Sequence, residues 1–131
     1  MRTILFILGV FHGANGLVML AAPGEWYALV PGVTETGPAN IHFIRDIGFA
    51  FLAAGAGLVM AARREARLGA LVPAAIFLAG HAGQHLVEMA AHGAAPAAAL
   101  RDLVAIVIPG FLPAYAIWSR RAAATLARSA S

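Results

Sequence analysis

The chain has 131 residues, of which 61% are hydrophobic and 11% charged, whereas about 25% are charged in an average soluble domain. This composition excludes an ordinary soluble domain and predicts a membrane protein. Nine basic residues, all of them arginine, against six acids give a net charge of +3. Most of the arginines flank apolar segments, so we assign them to membrane topology and expect no nucleic-acid binding. Because the chain has no cysteine, it has no disulfide and no thiolate metal site.

Four segments are apolar and long enough to cross a bilayer core, which takes about 20 residues of helix. They are residues 3–22, 39–62, 68–91 and 100–119. We therefore predict an all-α fold, an integral membrane four-helix bundle that forms one domain over residues 1–131. The first segment is predicted to be a retained span and not a cleaved signal peptide, because His12 and Asn15 interrupt its apolar run.

The loops between the predicted spans differ in charge. Arg2, the second loop (63–67) and the segment after residue 119 are basic, whereas the first loop carries acids and no arginine. By the positive-inside rule, both termini face the cytoplasm and the first loop faces outward. In that loop, Trp26 and Tyr27 predict a short interfacial helix over about 24–31, because amphipathic aromatic rings favour headgroup depth.

Small residues and prolines predict how the spans pack and where one of them bends. Glycines at four-residue spacing, such as Gly9 and Gly13, predict close approach between membrane helices. Pro109 and Pro113 each remove a backbone donor, so they predict a bend in the fourth helix.

Polar side chains within the spans concentrate in the predicted outer half of the membrane. With a rise of about 1.5 Å per residue, they lie between about 4 and 15 Å from the outer end of their helices. The inner half is apolar. The set comprises His12, Asn15, His42, Arg45, Asp46, His81, Gln84, His85 and Glu88, with Asp102 at the outer rim.

Their spacing predicts that several of these side chains share a helix face. His81, His85 and Glu88 follow an i, i+4, i+7 pattern and lie within about 60° of one another. His42 and Asp46 are one turn apart on the second span. Because such groups are costly in hydrocarbon, we expect both faces to turn inward and form a polar pocket that opens outward.

The leading hypothesis for this pocket is binding of a metal, or of a small ligand, through histidines and acids. The predicted metal ligands are His42, Asp46, His81, His85 and Glu88, a set that suits a transition metal without thiolates. Haem is a variant of this hypothesis, with His12 and His81 as axial ligands at equal depth. The other predicted pocket residues are His12, Asn15, Arg45, Gln84 and Asp102.

Two alternatives stay open. In the first, the pocket works without metal as a proton relay, as an acid/base site, or as a site for the head of a lipid or quinone. Arg45 then needs a carboxylate partner, for which Asp46, Glu88 and Asp102 are available. In the second, the polar groups mainly hold the helices together in a structural or accessory subunit of a larger membrane complex. No Ser/His/Asp arrangement or phosphate loop is recognisable.

Three segments carry a resemblance to a known group of proteins. WYALVPGV, TGPANIHFIRDIGFAFL and FHGANGLVMLAAP resemble a family of small uncharacterised bacterial inner-membrane proteins with four predicted spans, and the general plan is DoxX-like. The resemblance implies four spans in a bacterial inner membrane, and no site residue is carried over from it. The expected partners are membrane lipids, other membrane subunits or further copies of this chain.

Overall fold

The computed structural model of the chain describes residues 1–63 and 68–129. Within these residues the structure is helical and contains no strand, which confirms the all-α prediction. The helices are α1 (Arg2–Ala21), α2 (Pro23–Leu29), α3 (Ile41–Arg63), α4 (Leu68–His92), α5 (Pro96–Asp102) and α6 (Ile108–Ser129). A 3₁₀ turn covers Val33–Thr36, and a π turn over Leu103–Val107 joins α5 to α6. The predicted basic loop lies, beyond Arg63, outside the described residues.

The first three long helices begin and end within two residues of the predicted spans, and the short helix α2 occupies the predicted interfacial position. The fourth differs, because helix extends from Pro96 to Ser129. The sequence prediction placed residues 92–99 in a loop, but Pro96 takes the first turn of α5, where a missing N–H costs nothing. The alanines after it favour helix.

The long helices are arranged in the order α1, α3, α4, α6, and each packs against the next. The pairing of α1 with α3 is the most extensive, whereas α1 and α6 touch only slightly. The core between the helices is apolar and includes the fully buried side chains of Leu5, Leu58, Leu71 and Leu78. The structure is therefore a four-helix bundle with little contact between its first and last helices.

Glycines bring the backbones of α1 and α3 together. A Cβ atom built on Gly16 would lie 2.5 Å from the carbonyl oxygen of Gly48, and one on Gly9 would lie 2.8 Å from the carbonyl oxygen of Gly55. Gly57 approaches α4 in the same way, with the carbonyl oxygen of Ala70 at 2.6 Å from its added Cβ. Close backbone approach of this kind supplies the packing that lipid cannot drive.

Pro109 of the fourth span lies just after a change in helix type. Pro109 follows the π turn over Leu103–Val107, which contains the carbonyl four residues before it. A proline ring crowds that carbonyl, and a π turn is one way in which a helix accommodates the crowding. The fourth span thus departs from a regular α-helix in the turn before Pro109, close to the predicted bend.

Four helices in the described part of the chain are long and apolar enough to cross a membrane. Their outward surfaces carry large apolar side chains, including Ile7, Phe11, Ile76 and Val87. So extensive an apolar surface is unusual for a soluble monomer, and lipid chains would cover it in a bilayer. The chain is accordingly a multi-pass membrane protein. We call the end of the bundle that holds α2, the 3₁₀ turn and α5 the α2 end.

Candidate functional site

At the α2 end, the carboxylate of Asp102 contacts two side chains, a histidine and an arginine. Its Oδ2 lies 3.1 Å from Nδ1 of His85, and its Oδ1 accepts a 2.8 Å bond from Nε of Arg101. The Asp102 side chain is 14% exposed and that of His85 is 30% exposed, so both are largely withdrawn from solvent. Asp102 therefore holds His85 of α4 in a fixed orientation from a different helix, α5.

Arg101 also reaches the connection between α2 and α3. A Cβ atom built on Gly32 would lie 3.2 Å from Nη2 of Arg101. Gly32 has φ +86°, a left-handed conformation that glycine adopts without strain. The guanidinium thus packs against Gly32, a position where a larger residue would be strained and crowded. This contact connects the start of the fourth span to the first loop.

A second histidine extends this arrangement along α4. The rings of His81 and His85 meet edge to face with centroids 4.9 Å apart. His81 also stacks on Phe77 and contacts the edge of Phe51 on α3, with centroids 5.5 Å apart for the latter pair. One turn of α4 therefore separates the Asp102-bound imidazole from an imidazole that is surrounded by aromatic rings.

His12 of α1 lies on the other side of Phe51. The two rings stack with centroids 5.6 Å apart, and Phe11 contacts the His12 ring by its edge. His12 is 6% exposed, and neither of its ring nitrogens has a hydrogen-bond partner among the described residues. A buried polar group without a hydrogen-bond partner lowers stability by about 1–3 kcal/mol. A polar ligand that binds His12 would therefore remove this cost. We call His12, His81, His85 and Asp102 together the histidine array.

Asn15, predicted as a pocket residue, forms a hydrogen bond that connects α1 to α2. Its Oδ1 accepts a 3.0 Å hydrogen bond from Nε1 of Trp26, and its amide nitrogen lies 3.6 Å from the sulfur of Met19. The Tyr27 hydroxyl in turn donates to the carbonyl of Gly37 at 2.6 Å. Asn15 therefore anchors α2 to α1, and the hydrogen bonds of Trp26 and Tyr27 fix α2 in place.

The structure does not bring the polar residues of α3 into the array. His42 and Asp46 pair with each other at 3.4 Å, and their side chains are 90% and 57% exposed. Arg45 is exposed and has no ion pair with any described residue. The reason is the rotation of the helix, because α3 turns Ile44 and Phe51 toward the core, and these lie on the opposite face.

Glu88 and Gln84 also lie outside the array. Gln84 donates to Glu88 at 2.7 Å, and the other carboxylate oxygen of Glu88 lies 3.1 Å from Nδ1 of His92. All three side chains are exposed near the end of α4. Glu88 is thus engaged one turn beyond His85 and takes no part in the contacts of His81.

The five predicted metal ligands are therefore distributed over three places. In residues 1–63 and 68–129 no group of three or more histidines and acids is placed to hold a metal ion. The two predicted haem ligands, His12 and His81, both pack against Phe51, which would have to move for a haem to lie between them. As arranged, these residues do not fit a metal ion or a haem, and metal binding stays a prediction that requires the helices to rotate.

Two members of the site carried no decisive signal in the sequence. Arg101 directly precedes Asp102, which was predicted as a pocket residue at the outer rim. That adjacency is the sequence signal by which Arg101 could also have been predicted as a pocket residue. Phe51 lies in an apolar run and resembles any lipid-facing aromatic residue.

When the chain is compared with protein-family models, with curated proteins and with solved structures, none of them matches it.

Proposed function

We propose that the histidine array is a metal-free proton relay. It takes up protons at the α2 end and delivers them to a polar group buried in the membrane. The observation that carries the proposal is the continuous series of contacts from Asp102 to His85 and on to His81. Imidazoles gain and lose protons near neutral pH, and chains of histidines and carboxylates form proton pathways in membrane proteins.

Asp102 acts as the orienting group of the relay. Bound through Nδ1 to Asp102, His85 leaves its Nε2 available to exchange a proton with His81. The ring centroids are 4.9 Å apart, so small rotations of either side chain bring two ring nitrogens within hydrogen-bond reach. Arg101 balances the charge of Asp102 while His85 changes its protonation state.

The contacts of the relay end at His81, so passage of a proton to His12 requires Phe51, which packs against both rings, to move. His12 is the proposed end point. Its two unpaired nitrogens supply an acceptor and a donor in an apolar, aromatic environment. A membrane-soluble molecule with a small polar head, such as a quinone or a weak acid, has the chemistry to fill that place, because its tail would lie among the apolar side chains of the bundle. The relay would then serve acid/base chemistry on this ligand.

The same proposal includes a location. The arginines at the end of the bundle opposite α2, together with the resemblance described above, support a bacterial inner membrane with both termini in the cytoplasm. In that orientation the α2 end faces outward, and protons enter the array from the outer side. A metal-binding pocket and an accessory subunit remain the competing functions.

Proton exchange at individual histidines tests the relay. With ¹⁵N-labelled histidine and the chain in lipid nanodiscs, NMR line shapes report how fast each ring proton exchanges with water. We expect His85→Leu to slow exchange at His81 and His12 by about tenfold or more, because the route through position 85 is lost. Exchange at His42, which is exposed on α3, should not change.

His92→Leu is the matched control, since it removes another histidine from the same end of α4. This variant should leave exchange at His81 and His12 at the rate of the unmodified chain. Equal or faster exchange at His81 in the His85→Leu variant would show that protons reach it by another route, and the relay would be ruled out.

A further inference from the structure

One face of helix α3 is not covered by any other part of the described chain. It carries charged and polar side chains near the start of the helix and apolar side chains further along. The core-facing side chains of α3, such as Ile44, Phe51 and Leu58, are buried on the opposite side. The uncovered face runs along the helix from its start almost to its end. We call it the α3 strip, and it consists of His42, Arg45, Asp46, Phe49, Ala53 and Met60, all of them exposed.

The charges of the strip lack adequate partners within the chain. Arg45 has no ion pair with any residue that the structure describes. Asp46 contacts only the exposed His42, at 3.4 Å. Both lie one to two turns inside a helix that is apolar enough to span a membrane. Because exposed charges at such a position are costly, the strip requires an occupant that supplies both a cation and an anion.

A second copy of this chain supplies both, and symmetry places them correctly. Two copies inserted in the same direction are related by a two-fold axis along the membrane normal, so residues of equal depth meet. Arg45 and Asp46 are about 100° apart around the helix and flank the line through His42 and Phe49. Rotation about the axis brings opposite flanks together, so each Arg45 meets the partner's Asp46.

We propose that two copies of this chain pair through the α3 strip, with reciprocal ion pairs between Arg45 and the partner's Asp46. Below the charges, the small side chain of Ala53 lies between Phe49 and Met60 and lets the two helices approach. An anionic lipid headgroup fits less well, because its phosphate would satisfy Arg45 but would meet the carboxylate of Asp46. The pairing stands independently of the proton relay.

Charge exchange between two differently tagged copies tests this interface. The chain contains no cysteine, so Ala53→Cys introduces a single thiol on the strip, and oxidation in native membranes reports pairing as a disulfide-linked dimer. In this background, Arg45→Asp and Asp46→Arg should each lower the dimer yield about fivefold when expressed alone, because like charges then face each other. Co-expression of the two should restore the yield as a mixed dimer, and the double exchange in one chain should restore it as well.

Ile76→Cys is the matched control, since Ile76 is also exposed but lies on α4, outside the strip. It should give little cross-linking in every background. The proposal is overturned if Ala53→Cys cross-links no better than Ile76→Cys, or if mixing the two charge variants restores nothing. The second outcome, combined with weaker recovery of anionic lipid with Arg45→Asp, would identify a lipid headgroup as the occupant.

Discussion

Replacing Gly55 by alanine is expected to lower the free energy of unfolding by about 2 kcal/mol net, even though alanine is the better helix former. A Cβ atom at Gly55 would lie 2.5 Å from the backbone nitrogen of Gly13 and 2.7 Å from the carbonyl oxygen of Gly9. These are backbone atoms that cannot rotate away, so α1 and α3 must separate. The measurement is equilibrium unfolding in bicelles, followed by circular dichroism.

Gly13→Ala is the control for this prediction. Gly13 lies on the same helix pair, but a Cβ atom added to it would meet nothing within 4 Å. The variant should be neutral or more stable by up to about 1 kcal/mol, because alanine favours helix over glycine. If the two variants lost the same stability, the close approach of α1 and α3 would not be the reason, and the packing described here would be wrong at its most extensive interface.

Replacing Asp102 by alanine should also cost about 2 kcal/mol, for an electrostatic reason. The carboxylate accepts a charge-assisted bond from Arg101 and contacts His85, and each such bond contributes about 1.5–3 kcal/mol before allowance for exposure. We set the total near the lower figure because Arg101 is exposed at the surface and water screens it. Equilibrium unfolding gives the stability, and the ¹⁵N shifts of His85 should show the loss of its fixed tautomer.

Glu88→Ala is matched to this change, because Glu88 is also a carboxylate that contacts a histidine. Its side chain is more than half exposed, so its loss should alter stability by no more than about 0.5 kcal/mol. If Glu88→Ala and Asp102→Ala lowered the free energy of unfolding equally, the burial of Asp102 would not strengthen its contacts. The claim that Asp102 holds His85 in place would then be wrong.

The spans were predictable because they depend on a simple quantity, the length of apolar sequence that crosses a bilayer. The start of the fourth span was not, because proline and glycine in residues 92–96 are equally typical of a loop and of a helix that begins at Pro96. In the structure only three residues, from Gly93, separate α4 from α5. The decision between these readings depends on the contacts that α5 makes with its neighbours.

The depth of the polar residues was also accessible from the sequence, but their rotation was not. In a soluble helix the apolar stripe marks the core, whereas in a membrane helix the lipid-facing side is just as apolar. The rotation of α3 is set by Gly48 and Gly55, whose backbones contact α1. That contact turns Phe51 toward His12 and His81, and it leaves His42 and Asp46 on the outer surface.

The most direct test of the central claim is whether position 85 is reached by water from the α2 end alone. In the cysteine-free chain, His85→Cys provides one thiol beside Asp102, and Leu78→Cys provides one at a fully buried position two turns deeper. In sealed vesicles we expect a membrane-impermeant maleimide to label position 85 only from the side that carries α2, and to leave position 78 unlabelled from either side. Labelling of position 85 from the side of Arg2, or equal labelling at both positions, would contradict a proton-accessible array at the α2 end.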